Sequence, residues 1–223
     1  DGSLVERWQN YLNYFRVPEL VNDSGLAEKI VRTTMKKIRT LVAERFEPDM
    51  LPREEPALTV VQSAPYAGRF VFNGPGKPAA FEAVLGNGKT AAIMLSHLET
   101  AFHELWPGHH SHVSRQFEAA ERDGLGILYG SVIPSPYITI SEGIATNARR
   151  ITVSDEEFAE IAGRLYAELD AVTSDGTPTN YVTSGDVLKF LKLADIRQQT
   201  VTARDNAVIM LLDQKRPEQE VAK

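Results

Sequence analysis

Apolar residues recur at helical spacing along the first fifty residues of the chain. Residues 3–15 and a longer segment from Ser24 to Phe46 follow the three-to-four-residue repeat that is typical of amphipathic helices. Ser24 is a suitable residue for a helix N-terminus. Pro48 indicates the end of the second helix, because the residue before a proline avoids the helical conformation. Two helices are therefore predicted in this part of the chain.

The pattern changes to one that favours strands over residues 57–72. Leu58–Val61 and Arg69–Phe72 are runs of β-branched and aromatic residues, and a Pro-Tyr-Ala-Gly turn separates them. We predict two strands here. Residues 73–89 are rich in Gly and Pro, which indicates a loop.

Helical spacing returns in the rest of the chain. The predicted helices cover residues 90–106, 109–122, 141–150, 155–169 (capped by Ser154), 187–193 and 195–212, with loops over 124–136 and 173–186. The predicted fold class is therefore mainly α with a small β-sheet, an α+β arrangement. We expect residues 1–223 to form a single helical domain, since no linker or repeat interrupts them.

Composition narrows the classes of function. The chain has 223 residues, a net charge of −6 and no cysteine. The acidic balance argues against a nucleic-acid partner, and no apolar run approaches the ~20 residues that span a bilayer. A metal would need nitrogen and oxygen ligands, because thiolates are absent. The lack of cysteine favours a cytoplasmic location and leaves a secreted or periplasmic one open. The chain begins with Asp1 rather than Met, as a processed form or an internal fragment would.

The strongest chemical signal is the segment His103-Glu104-Leu105-Trp106-Pro107-Gly108-His109-His110, which holds three of the five histidines. Many zinc hydrolases present a metal and a general base from one helix through a His-Glu pair followed by another His. Glu104 adjoins the first of these histidines, where a base that deprotonates a metal-bound water would lie. The segment therefore indicates a metal centre with Glu104 as its base.

The spacing does not suit a regular helix. At 100° and 1.5 Å per residue, His103 and His109 would be ~120° apart, and His103 and His110 would be ~10.5 Å apart along the axis. Pro107 and Gly108 can supply the distortion that brings His109 back beside His103. The alternative is that these are surface histidines on a helix–turn–helix, with a solvated Glu104.

A zinc site needs a third protein ligand, and Glu142 is the best candidate. Its alternative role is structural, because Thr139-Ile140-Ser141-Glu142 also fits a capping box. Glu99 lies one helical turn before His103 and either orients that histidine or forms an ordinary salt bridge. His97 and His112 are predicted to be surface residues or outer-sphere neighbours.

The segment from His103 to His110 also resembles the H-E-x-x-P-G-H-H signature of a bacterial family named domain of unknown function 885. Members of that family are regarded as zinc metallopeptidases, distantly similar to the helical gluzincins. The resemblance extends over roughly residues 50–190. Its other segments are Ser63–Ala67, Ser141–Ala145, and Pro178 and Tyr181 with Gly185.

The resemblance implies a zincin-like helical domain with Zn²⁺ between a kinked His-Glu helix and a following Glu-Gly helix. The implied ligands are His103, His109 and Glu142. Glu104 would be the general base or acid, and Tyr181 would donate a hydrogen bond to the oxyanion. Matching Gly108-His109 to the Gly-His of the zincin helix favours His109 over His110 as the second ligand.

The chain departs from the family pattern after Glu142. The aromatic residue, the tyrosine and the second acid of the family's E-G-W-A-x-Y-x-E segment are replaced by Ile144, Asn147 and Arg149. The chain is also shorter than typical members, as expected of a fragment or a shortened relative. The metal ligands are thus kept while the residues implied to face the substrate differ.

Three functions follow. The first is a zinc-dependent hydrolase, peptidase-like, that uses metal-activated water on a peptide or small amide-like substrate. The second is a non-peptidase metalloenzyme of a biosynthetic pathway, with Arg149 binding an anionic group of a small molecule. The third is a non-catalytic helical binding domain.

Overall fold

The structure is a computed structural model that describes residues 3–16, 24–48, 51–61, 64, 68–74, 77–84, 94–126, 136–173 and 182–212. Its helices are α1 (Leu4–Tyr14), α2 (Ser24–Arg45), α3 (Met94–Glu104), α4 (His109–Asp123), α5 (Pro136–Thr152), α6 (Asp155–Thr173) and α7 (Ser184–Leu212). Its strands are β1 (Ala57–Val61), β2 (Gly68–Val71) and β3 (Ala80–Val84). The predicted mainly helical α+β fold is confirmed. Within the described ranges, no helix has the length and apolarity that a bilayer crossing requires.

Reciprocal side-chain caps fix the starts of two predicted helices. At α1, the Ser3 hydroxyl accepts from the Glu6 amide, and the Glu6 carboxylate accepts from the Ser3 amide. The same exchange joins Ser154 and Glu157 at the start of α6, as predicted from Ser154. Such caps satisfy amides that would otherwise lack partners at the first turn.

The sheet contains one strand more than predicted. Its order is β1-β3-β2, with β3 parallel to β1 and antiparallel to β2. The loop predicted over residues 73–89 is therefore wrong for residues 80–84. Ala80–Val84 is short and lies between Gly- and Pro-rich segments, which hides its strand character. Both neighbouring strands bond to it, and Phe81 at 2% exposed anchors it in the core.

Two helix predictions in the second half need correction. Helix α5 begins at Pro136, several residues before the predicted start, and proline is favoured in the first turn of a helix. The two helices predicted at 187–193 and 195–212 are one continuous helix, α7. No Gly or Pro occurs between Asp186 and Leu212, so nothing in the backbone chemistry ends the helix near Ala194.

Helix α3 occupies the centre of the fold and carries the first half of the His-Glu segment. It packs against α2, α5, α6 and the strand β2. Leu98 and Phe102 are fully buried on its inner side, and each such side chain contributes about 1.5–3 kcal/mol through burial. This packing fixes the rotation of α3 about its axis, and His103 and Glu104 are left half-buried at its C-terminal end.

Strand β2 lies unusually close to α3 because of Gly68. A Cβ atom at Gly68 would lie 2.7 Å from the Thr100 methyl group and 3.0 Å from the Glu82 carbonyl oxygen. Only glycine permits this approach. The strand consequently passes beside the end of α3, where its backbone can reach Glu104.

Candidate metal centre

The Pro-Gly break separates two helices that together carry the histidines. Helix α3 ends at Glu104, α4 begins at His109, and the Trp106–Pro107 peptide bond between them is cis. The Trp106 side chain is fully buried, and the Ser111 amide donates to the Leu105 carbonyl across the break at 3.3 Å. The break is thus a packed, hydrogen-bonded turn.

Gly108 brings the two helix ends into direct contact. A Cβ atom there would lie 1.9 Å from the His103 carbonyl oxygen and 2.5 Å from the Phe102 carbonyl oxygen. No other residue fits at these distances. Because the start of α4 lies against the last turn of α3, the His103 and His109 rings have centroids 4.8 Å apart at an angle of 85°. The distortion expected from the spacing is present.

Glu142 of α5 completes the group. Its Oε1 is 3.2 Å from His109 Nε2, and its Oε2 is 3.5 Å from His103 Nε2. One ligand atom from each of the three residues lies within 4.8 Å of the others. Ligand atoms on a tetrahedral zinc with bonds of ~2.0–2.2 Å are separated by about 3.3–3.6 Å. The three residues could therefore hold one metal ion after small side-chain movements.

The structure does not support the alternative roles considered above, namely a helix-capping role for Glu142 and surface positions for His103 and His109. Glu142 lies inside α5 together with Thr139, so the capping box is wrong: these residues follow the helix start at Pro136. The His103 and His109 side chains are only 29% and 14% exposed, which excludes free surface histidines.

The histidines are held in the form that binds metals. Burial lowers the pKa of His103 and of His109, and the nearby Glu142 carboxylate only partly opposes this. Burial also lowers the pKa of His112. The rings are therefore neutral at neutral pH, and each keeps a nitrogen lone pair for a ligand.

Glu104 is fixed by the edge strand rather than by its own helix. The Phe70 amide of β2 donates to its Oε2 at 2.8 Å, while its Oε1 lies 4.0 Å from His103 Nε2. Burial raises the pKa of Glu104 to about 7; the Phe70 hydrogen bond opposes the shift, and the Glu142 charge adds to it. Glu104 is thus a carboxyl group poised to exchange a proton near neutrality, beside the three-residue group.

Ser141 has no predicted role in the site, whereas His112, predicted to be a surface residue or an outer-sphere neighbour, takes the outer-sphere position. Ser141 Oγ lies 2.7 Å from His112 Nε2 and 3.3 Å from His109 Nδ1. His112 Nδ1 lies 3.1 Å from the Gly108 carbonyl oxygen. The available signals were the adjacency of Ser141 to Glu142 and the three-residue spacing from His109 to His112 on α4.

A cleft of about 640 Å³ opens beside the site between α3, α5 and α7. His103 and Glu104 line one end, and Asn147 and Gln198 line the walls. Asn147, one of the departures from the family pattern, also donates to the Gly143 carbonyl at 2.8 Å. The volume is within the range of ~300–1,000 Å³ that accommodates small ligands.

The contacts of Arg149 indicate that this residue stabilises the fold. It is 8% exposed, pairs with Asp155, and lies 3.8 Å from a Glu99 oxygen. Its guanidinium also stacks over the Phe158 ring at 5.0 Å. Of the two roles predicted for Glu99, orienting His103 or forming a salt bridge, the structure shows the salt bridge. The third departure, Ile144, is 40% exposed on the outer surface of α5.

The remaining candidates lie elsewhere. His110 is 3% exposed and packs against Phe70 and Trp106, with ring centroids 5.1 and 5.7 Å away. His109, not His110, belongs to the three-residue group, as the resemblance implied. The His97 Nε2 atom is buried, so the surface position, one of the two considered for that ring, does not describe it. Tyr181 lies outside the described residues, and its role stays a prediction.

Comparisons of the chain with protein-family models, curated proteins and solved structures found no significant match. The resemblance to the domain-of-unknown-function 885 family therefore stays a prediction that rests on the motif.

Proposed function

We propose that this protein is a metal-dependent hydrolase, peptidase-like, that binds zinc through His103, His109 and Glu142. One observation carries the proposal: three potential ligands from three helices lie within 4.8 Å of one another, and a carboxyl group with a raised pKa lies beside them. If the contacts between Glu142 and the two histidines were only structural ion pairs, the separately anchored Glu104 carboxyl group beside them would have no role.

The chemistry of the ligand atoms suits zinc. Two imidazole nitrogens and one carboxylate are a common catalytic zinc set, and three protein ligands leave one coordination position open for water or substrate. When bound, such an ion supplies Lewis acidity, which polarises a carbonyl group and makes water more acidic.

Glu104 would act as the general base. Its Oε2 is held by the Phe70 amide, so Oε1 is left to accept a proton from the attacking water. A pKa of about 7 in the absence of metal lets the carboxyl group release that proton to a leaving amine at neutral pH. The cleft beside His103 and Glu104 would hold the peptide or small amide-like substrate.

The other two functions receive less support. A small-molecule metalloenzyme that binds an anionic group through Arg149 is less favoured because this guanidinium, although it lines the cleft, is already paired with Asp155 and stacked on Phe158. A non-catalytic binding domain would gain support if His109 and Glu142 lay far from His103, and they lie close to it.

Metal analysis and peptide cleavage test the proposal together. Protein purified without chelators should hold about one equivalent of zinc, as expected for one three-ligand site, and His103→Ala should lose it. Glu104→Gln should keep the zinc and lose about 10²-fold or more of any peptidase activity. Glu156→Gln, at an exposed carboxylate on α6, is the matched control and should cleave normally. Zinc-free wild-type protein, or Glu104→Gln at full activity, would contradict the proposal.

A further inference from the structure

A buried hydroxyl group connects two histidine rings beside the proposed metal site. Ser141 is 6% exposed and directly precedes Glu142 on α5. Its Oγ lies between His112 Nε2 at 2.7 Å and His109 Nδ1 at 3.3 Å. The hydroxyl has a single proton, so it can donate to only one ring and must accept from the other.

The Gly108 carbonyl decides the direction of these hydrogen bonds. It lies 3.1 Å from His112 Nδ1, and a carbonyl oxygen can only accept, so that nitrogen carries the proton. In the neutral His112 ring, Nε2 is then the acceptor, and Ser141 donates to it. Ser141 Oγ in turn accepts a hydrogen bond from His109 Nδ1.

The opposite direction is unfavourable. If Ser141 donated to His109, His112 would have to donate from Nε2, and its neutral ring would present an unprotonated Nδ1 to the Gly108 carbonyl. Two acceptors would then face each other at 3.1 Å. A buried polar pair without a shared proton is destabilising.

The consequence appears on the other side of the His109 ring. With its proton on Nδ1, His109 Nε2 presents a lone pair to Glu142 Oε1 at 3.2 Å. An unprotonated nitrogen and a carboxylate oxygen are both acceptors, so a cation between them resolves their repulsion. The hydrogen-bond chain that begins at the Gly108 carbonyl thus prepares His109 to bind a cation.

We propose that Ser141 is a positioning residue which, through His112 and the Gly108 carbonyl, fixes His109 as the Nδ1–H tautomer and directs its Nε2 lone pair to the metal ion. This inference rests on the proposed metal site and adds the groups that orient one ligand. Outer partners of this kind change metal affinity by about 10–100-fold in other proteins.

The first measurement is long-range ¹⁵N–¹H correlation of the imidazoles of the full chain, with and without zinc, at about pH 8, where neutral rings predominate. Single His→Gln variants assign the signals. We expect the Nδ1–H tautomer at His112 in both states, because the Gly108 carbonyl requires it. At His109 we expect a proton on Nδ1 and the metal on Nε2 when zinc is bound.

The second measurement is the zinc Kd, determined by competition with a chromophoric chelator. Ser141→Ala should bind zinc about 10–100-fold more weakly, and Ser141→Thr should restore most of the affinity because it keeps the hydroxyl group. Ser111→Ala is the matched control. Ser111 is also buried next to the histidines, but its hydroxyl has no hydrogen-bond partner among the described residues, so its removal should leave the Kd unchanged.

An Nε2–H tautomer at His112, or zinc bound to His109 through Nδ1, would overturn the inference, as would a zinc Kd that Ser141→Ala leaves unchanged. Neither measurement includes hydrolysis. A protein that shows both expected tautomers and the expected zinc affinities but cleaves no amide would contradict the proposed function alone.

Discussion

The backbone of Gly108 lies against the carbonyl of His103, with room for a hydrogen atom and none for a methyl group. The space beside His103 alone is enough to require glycine at this position, because a Cβ atom would overlap the carbonyl oxygen. The contact aligns the two histidine ligands, and it makes the Pro-Gly break part of the site.

Gly108→Ala is accordingly expected to be severely destabilising. The new Cβ would need to move away from an oxygen at 1.9 Å, which forces α4 off the end of α3 and costs about 3 kcal/mol or more. Urea unfolding measures the loss. Gly143→Ala is the control, since its Cβ meets nothing within 4 Å and alanine should stabilise that helix by up to about 1 kcal/mol. Equal stability of the two variants would contradict the close packing at Gly108.

The sequence carries enough information for the local part of this arrangement. His103, Pro107, Gly108 and His109 lie within seven residues, and helix geometry alone indicates that the break must be distorted for both rings to share an ion. The long periodic helices were likewise predictable, since an amphipathic repeat over several turns has few alternatives.

The parts of the site that depend on distant segments were not predictable in this way. The bond from the Phe70 amide to Glu104 joins residues 34 positions apart, and it requires the close approach of β2 that Gly68 allows. Strand β3 has no clear alternation of its own and forms because two partners flank it. The true start of α5 likewise decided whether Glu142 caps a helix or faces the histidines.

Glu104 should make the stability of the metal-free protein depend on pH. Its pKa in the folded protein, about 7, exceeds the ordinary value of 4.5. The stability it contributes is therefore fully present below pH 4.5 and is lost as the pH rises through 7. Gln at this position cannot ionise and still accepts the Phe70 hydrogen bond.

In the presence of chelator, the free energy of unfolding of Glu104→Gln relative to that of the wild type should rise by about 2 kcal/mol as the pH is raised from about 5 to about 8.5. Urea unfolding at the two pH values measures the change, and Glu156→Gln, at an exposed position, is the control. If the difference in free energy of unfolding between Glu104→Gln and the wild type stayed constant over this range, the pKa of Glu104 would not be raised in the folded protein.

Arg149 and its neighbour Arg150 provide a matched test of the structural role assigned to Arg149. The Arg149 side chain is 9% exposed and the Arg150 side chain is 61% exposed, although each pairs with an aspartate. Arg149→Met should cost about 1–3 kcal/mol because the pairing and the stacking on Phe158 are lost. Arg150→Met should cost less than about 0.5 kcal/mol, as is usual for exposed pairs. Comparable thermal unfolding of the two variants would contradict this assignment.

His97 should make the protein sensitive to acid independently of the metal site. Its Nε2 is buried and has no hydrogen-bond partner among the described residues, and burial lowers its pKa from 6.5 to about 4. Between these values the unfolded chain binds a proton that the folded chain excludes. The stability is therefore present above pH 6.5 and is lost as the pH falls toward 4.

His97→Phe removes this titration and keeps an aromatic ring of similar size. Between about pH 7.5 and pH 5, the variant should lose about 2 kcal/mol less stability than the wild type. Urea unfolding in the presence of chelator measures both losses. Part of the acid sensitivity should persist in the variant, because burial also lowers the pKa of His110 to about 4. If His97→Phe and the wild type lost stability in parallel, the His97 ring would have to be open to solvent, contrary to its position in α3.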